Sequence, residues 1–201
     1  MPEPGPLPAA KNGFITFGSA NRGNKITDSL INLWIAVLVA CPDSRFIIAG
    51  HHSSDPSFIA RIKTFCQAGN VELERVTFQG FRKTPAFWSF YHQVDILLDS
   101  APFNGCLTTL DAMWMGVPVI TLSGQTIVSR YGHSFNHCLG LDDWVATNRA
   151  AYISTARKKS KKLTELAKLR AALRERITAS PICDGQAFGG DLERIFAELR
   201  Q

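Results

Sequence analysis

Residues 94–121 read VDILLDSAPFNGCLTTLDAMWMGVPVIT, and the order of residue types in this stretch decides the fold class. An apolar run containing Val94, Ile96, Leu97 and Leu98 ends at Asp99, and a Pro/Asn/Gly loop follows. A compact helix pattern then runs from about Leu107 to Met115 and stops at Gly116, after which Val117 to Leu122 begins a second apolar run. Strand, glycine-containing loop, helix and strand make the βαβ unit of a parallel sheet, which binds ligands outside the carboxyl ends of its strands. A ligand is therefore expected beside Phe103 to Asp111.

The chemistry of that turn suits an anion carrying a sugar. Gly105 lets backbone approach a ligand closely, the first N–H groups of the helix have no partner within it, and Thr108 and Thr109 add hydroxyls at the positive end of the dipole. Asn104 completes the loop. Thr108 and Asp111 lie three apart on one face, so a hydroxyl could hold phosphate while the carboxylate accepts from ribose hydroxyls. The same Thr-x-x-Asp spacing also reads as a capping box that does no more than start a helix.

Working outward, strand and helix patterns alternate along the whole chain. Strands are expected at residues 14–18, 45–49 and 74–79, and helices at 26–40, 56–68 and 84–91, with Thr27 or Asp28 as a cap. This is the spacing of a Rossmann-like, doubly wound α/β sheet. Residues 1–13 are rich in proline and glycine and are expected to be a linker or ragged end, leaving one domain over residues 14–201. The length of 201 residues and 45% hydrophobic content are enough for one substantial core.

Composition narrows the functional classes. No apolar segment approaches the roughly 20 residues that span a bilayer, and the N-terminus lacks an apolar signal core, so a soluble cytoplasmic protein is expected. Five scattered cysteines without a CxxC pair argue against a disulfide framework or zinc site. His133 and His137 are four apart without a third ligand, and Asp142-Asp143 is not an Asp-x-Asp pair, so no metal and no cofactor are expected. The net charge of +5 comes from residues 147–178. Leu163, Leu166, Leu169, Leu173 and Ile177 form one stripe there, so the basic residues read as its solvated back rather than a nucleic-acid surface. A terminal helix over 191–199 is expected to turn Leu192, Ile195, Phe196 and Leu199 inward. No G-x-G-x-x-G follows the first strand, which disfavours a dinucleotide-dependent oxidoreductase.

Three stretches carry a family resemblance: residues 15–48, residues 103–146 (FNGCLTTLDAMWMGVPVITLSGQTIVSRYGHSFNHCLGLDDWVA) and residues 179–199. Together they resemble the C-terminal catalytic half of the O-linked N-acetylglucosamine transferases, including their SPINDLY-type relatives. That resemblance implies the donor-binding domain of a GT-B glycosyltransferase, with a UDP-sugar, N-acetylglucosamine foremost, as donor and a protein Ser/Thr as acceptor. It implies inverting transfer that needs an N-terminal half, preceded in the family by tetratricopeptide repeats. No 34-residue repeat period is present here. Lys25 matches the lysine that contacts the donor diphosphate, where it would neutralise the leaving group. Arg22 stands where the family has an amide and could add a cationic contact. FRKTPAF, residues 81–87, matches the uracil-recognising segment, but Phe87 replaces its histidine and its lysine falls at Lys83 or Thr84. Phe87 could stack on a base or belong to the core. Arg22, Phe87, Cys106 and Leu107 depart from the family pattern and favour a rival reading, a Rossmann-like scaffold for protein contacts.

Overall fold

The computed structural model describes residues 1–83 and 86–200 of the chain. Six strands form one all-parallel sheet: β1 (Thr16–Ser19), β2 (Arg45–Ala49), β3 (Val76–Gln79), β4 (Ile96–Leu98), β5 (Val119–Leu122) and β6 (Val145–Ala146). Their order is β3-β2-β1-β4-β5-β6, so the winding reverses between β1 and β4, the switch point at which doubly wound sheets take ligands. Ile96, Leu97 and Leu98 are all fully buried, as a central parallel strand covered on both faces must be, which is why they read as a continuous apolar run.

Helices cover both faces: α1 (Pro8–Asn12), α2 (Asp28–Ala40), α3 (Pro56–Ala68), α4 (Leu107–Trp114), α5 (Tyr131–Cys138), α6 (Arg149–Ser160), α7 (Leu163–Thr178) and α8 (Gly185–Glu198). Local chemistry sets their starts. The Thr27 hydroxyl accepts from Leu30 N–H at 3.2 Å to open α2, and Asp55 accepts from Ser57 N–H ahead of Pro56 at the first turn of α3. The 84–91 segment is a 3₁₀ helix over Ala86–Gln93 rather than an α-helix, and the expectations resting on Thr84 lie outside the described residues. Over eight residues an apolar pattern does not separate a period of 3.0 from 3.6.

Three expectations need correction. Residues 1–13 pack on the domain instead of forming a ragged end: Leu7 and Ala9 are buried, and Asp95 accepts from Ala9 N–H at 2.8 Å. The basic stretch is two helices, and Arg170 on α7 is buried rather than solvated. Its guanidinium donates to the carbonyls of Gly5, Val94 and Tyr91 at 2.8, 2.8 and 2.9 Å, so it ties the N-terminal segment to the sheet. Finally, α8 buries none of its residues, and Phe188, Leu192, Ile195, Phe196 and Leu199 lie exposed. An amphipathic period specifies that a face is apolar but not what it meets.

Candidate functional site

The site is built where β4 gives way to α4. Asp99, fully buried at the end of β4, accepts from Ser100 N–H at 2.8 Å, Gly105 N–H at 2.7 Å and Thr121 Oγ1 at 2.9 Å. Burial pushes its carboxyl up to about 7, against the pull of those donors and of Lys25. Asp99 thereby folds the loop back on itself and presents Gly105 at the mouth of α4. A Cβ on Gly105 would lie 2.4 Å from Thr109 Oγ1, 2.9 Å from Thr108 Oγ1 and 3.1 Å from Asn21 Oδ1. Glycine is required because three polar side chains crowd its α-carbon.

The N-terminus of α4 has no side-chain cap: Cys106 occupies the cap position without such a hydrogen bond. The capping-box reading of Thr108 and Asp111 is therefore overturned, since Thr108 lies inside the helix, one residue after its start at Leu107. The unpartnered N–H groups and the dipole remain as an anion-binding end. Lys25 is half-buried, donates from Nζ to the Asn104 carbonyl at 2.8 Å and lies 4.0 Å above the Phe103 ring. Burial lowers its pKa, with Asp99 and Cys106 acting against the shift. Asp111 is half-buried on α4 with its pKa raised by burial, near the Tyr91 hydroxyl that donates to the Thr108 carbonyl at 3.2 Å.

Lys25, Asn104, Gly105, Thr108 and Thr109 thus meet at the switch point, with Asp111 one turn further along α4. Asn104 contributes its backbone; its buried amide donates to the Ser100 carbonyl at 2.8 Å and holds the loop. Thr109 is fully buried, so Thr108 is the hydroxyl nearer the opening. Arg22 is exposed ahead of the short 3₁₀ turn (Gly23–Lys25) that carries Lys25. Lys83 is exposed beyond β3, and the Phe87 ring packs on Phe90 and Tyr91 at 6.1 and 5.8 Å between centroids, on the domain side. Sequence reasoning takes the polar groups of the loop over residues 19–25, Ser19 and Asn21 among them, as candidates because the loop leaves the carboxyl end of the first strand, but it missed Asp99. Ser19 Oγ, both Asn21 side-chain polar atoms, Asn104 Oδ1 and Thr109 Oγ1 are buried without a partner among the described residues. The SAN tripeptide before Arg22 is the signal for Ser19 and Asn21, because polar residues at the end of a buried strand need partners.

Among the described residues no group of three or more His, Cys, Asp or Glu side chains converges as a metal-binding set. His133 meets Ser123, and His137 meets Asp142, each at 2.9 and 2.8 Å respectively. None of the described helices is long and apolar enough to cross a membrane.

Residues 8–192 match the model of glycosyl transferase family 41. Over 98% of its length the chain is 34% identical to the protein from Solanum lycopersicum named probable UDP-N-acetylglucosamine–peptide N-acetylglucosaminyltransferase SPINDLY, of which it spans 22%. A Caenorhabditis elegans UDP-N-acetylglucosamine–peptide N-acetylglucosaminyltransferase is 26% identical over 92% of the chain, which spans 16% of that protein. Among solved structures, a mutant O-GlcNAc transferase of Thermobaculum terrenum superposes with a TM-score of 0.86 at 31% identity, over 96% of this chain and 37% of that one. The sucrose-phosphate synthase of Thermosynechococcus elongatus, at 18% identity and a TM-score of 0.67, shares the fold. The chain spans about a fifth of the length of the curated SPINDLY relatives and belongs to glycosyl transferase family 41.

Proposed function

We propose that this domain binds the diphosphate and sugar of a UDP-sugar, and that it forms the donor half of an inverting transferase moving N-acetylglucosamine to protein Ser/Thr. The observation that carries the reading is the uncapped start of α4 with Lys25, Gly105, Thr108 and Asp111 gathered on it. In the transfer, the acceptor oxygen forms a bond to the anomeric carbon from the face opposite the diphosphate. The carbon–oxygen bond to the diphosphate breaks, its electron pair leaving with UDP. Charge grows on the leaving diphosphate, where a lysine ammonium and helix N–H groups are worth most in a water-poor site. Lys25 spends one of its three N–H donors on the Asn104 carbonyl and has two left for that phosphate, and its lowered pKa reflects the burial against which the diphosphate would hold it charged. Asp111 accepts from ribose hydroxyls.

Deprotonation of the acceptor and its alignment fall to an N-terminal half, which the resemblance expects outside residues 1–201, with tetratricopeptide repeats ahead of it. Without that wall the positioning worth about 7–11 kcal/mol is missing, so donor binding with little or no transfer is expected from this chain alone. Calorimetry with UDP tests the first part: Lys25→Ala combined with Asp111→Ala should weaken binding by about a hundredfold, the loss of two charge-assisted contacts. An intact chain that fails to bind UDP, or a double variant that binds like the parent, would sink the reading. Incubation with radiolabelled donor and mixed protein acceptors tests the second, and saturable labelling by residues 1–201 alone would refute it. Because Lys25 and the helix end supply positive charge, donor binding is expected to survive chelator.

A further inference from the structure

Beneath the start of α4 lies a carboxyl that the transfer itself does not use. Asp99 Oδ1 accepts from Ser100 N–H and Gly105 N–H, and Oδ2 from the Thr121 hydroxyl, so every donor on it is neutral. Among the described residues Asp99 forms no ion pair. Lys25 is the cation that acts on it, and that ammonium donates to the Asn104 carbonyl instead. The other elements packed here bring no counter-charge. On α5, a Cβ at Gly132 would come within 2.6 Å of Asp99 Oδ2, and on α6 the Tyr152 hydroxyl donates to the Asp99 carbonyl at 3.2 Å. Burial, then Asp99 itself, pushes Tyr152 well above its usual pKa and keeps it neutral. The Cys106 thiol acts on Lys25 rather than on Asp99.

A diphosphate on the N–H groups of α4 puts a second anion on the same turn. Gly105 N–H points inward to Asp99 at 2.7 Å, and the free N–H groups that follow belong to the residues opening α4. At about 3.8 Å per residue, phosphate and carboxylate lie within about 10 Å of each other. Salt does not screen a buried pair as it does an exposed one, and like charges sharing a desolvated site push one of them to its neutral form. The carboxyl is the group able to respond, because the diphosphate of a sugar nucleotide is esterified at both ends and has no oxygen that titrates near neutrality. Burial already pushes Asp99 up to about 7, against its donors and Lys25. Protonation also leaves the loop intact. Oδ2–H donates to Thr121 Oγ1, a hydroxyl that accepts as well as it donates, while Oδ1 keeps both N–H groups.

We propose that Asp99 is a positioning residue of the donor site that takes up a proton when the diphosphate binds, so that the loop keeps its shape while the site sheds one negative charge. The proposal rests on the donor-binding reading above and adds a proton to it.

Calorimetry of the full chain with UDP-N-acetylglucosamine, run at about pH 7.5 in HEPES and again in Tris, counts the protons, because the two buffers differ in ionisation heat. A carboxyl moved from about 7 to about 8 in the complex takes up about half a proton per donor bound there. The complex holds the extra proton, so donor affinity falls as pH rises, about fivefold between pH 6 and pH 8. Asp99→Asn should show no uptake and a flat profile, since its amide donates to Thr121 and accepts from Gly105 N–H as the protonated acid does. If that variant unfolds, the carbon-13 carboxyl resonance of Asp99 in the parent reads the same event and should move toward its protonated position when donor is added. Donor binding by the parent without proton uptake, or an uptake and pH slope that persist in Asp99→Asn and so belong to Lys25, would overturn the proposal while leaving the donor site standing. A chain that does not bind the sugar nucleotide at all would overturn both.

Discussion

Each end of β4 carries one buried aspartate, and the two are built to different purposes. At the entry end, Asp95 accepts from Ala9 N–H and Thr16 N–H, one on each oxygen at 2.8 Å, with the Arg170 guanidinium nearby. Arg170 fills the rest of that end by donating to three backbone carbonyls. At the exit end, Asp99 is likewise fully buried and accepts three hydrogen bonds, but the side chains around it are not matched. Ser19, Asn21, Asn104 and Thr109 all keep buried polar atoms without partners among the described residues. Burial raises the pKa of both carboxyls, yet only the exit end carries a lysine within reach of a helix N-terminus. The difference separates an end that closes the domain from an end whose unmatched buried groups cost stability, which the polar ligand of the proposed function would offset.

The comparison is broken most directly at Arg170. Arg170→Met should lower stability by about 3–5 kcal/mol in urea denaturation, because three buried carbonyls and Asp95 lose their cation together. UDP affinity measured where the variant is still folded should be unchanged. A loss under about 1 kcal/mol, or a loss of UDP affinity in the folded variant, would show that the entry end is not the structural one.

The converse substitution lies at the exit end. Gly105→Ala places a methyl 2.4 Å from Thr109 Oγ1, closer than neighbouring side chains tolerate. It should cost about 1–3 kcal/mol in stability through overpacking. It should also weaken UDP binding at least about tenfold, equivalent to about 1.4 kcal/mol, because the backbone at the mouth of α4 can no longer be approached. Retained UDP affinity would remove Gly105 from the site.

Asp99→Asn sharpens the comparison by pH and has the smallest effect at neutrality, about 1 kcal/mol, since an amide can still accept from Gly105 N–H and donate to Thr121. The sign follows from the raised carboxyl. A folded pKa of about 7 against about 3.9 in the unfolded chain means that the folded state favours the proton. The stability this contributes is complete below about pH 4 and is lost as pH rises through about 7. The stability of the parent relative to Asp99→Asn should therefore fall across that window and level off above it. Denaturation curves at several pH values that run parallel for the two proteins would contradict the burial argument.

Much of the fold was legible in the residues. The 45–49 strand and the 56–68 helix coincide with β2 and α3, because a β-branched run closed by Gly50 and an Asp-Pro start are both local signals. Of the candidate site, the loop over residues 19–25 and the turn carrying Gly105, Thr108 and Asp111 were legible as positions, because both leave strand ends at the switch point. Asp99 was not, because its importance lies in what crowds it. Phe87 replaces a base-binding histidine in the resemblance, yet its ring packs on Phe90 and Tyr91, a matter of which way a short 3₁₀ segment turns.

The sequence by itself determined an α/β sheet, the βαβ unit at residues 94–121 and a glycine-bearing turn at Gly105, since apolar period, turn residues and caps act over a few positions along the chain. Only the tertiary structure decided that residues 1–13 join the core, that Arg170 points inward among the carbonyls of Gly5, Tyr91 and Val94, and that the apolar face of α8 is exposed in this domain. A hydrophobic or charged period states what a surface can tolerate. What it meets is set by partners about 80 to 165 residues away, and the burial free energy that selects among them is non-directional, so no local pattern can encode it.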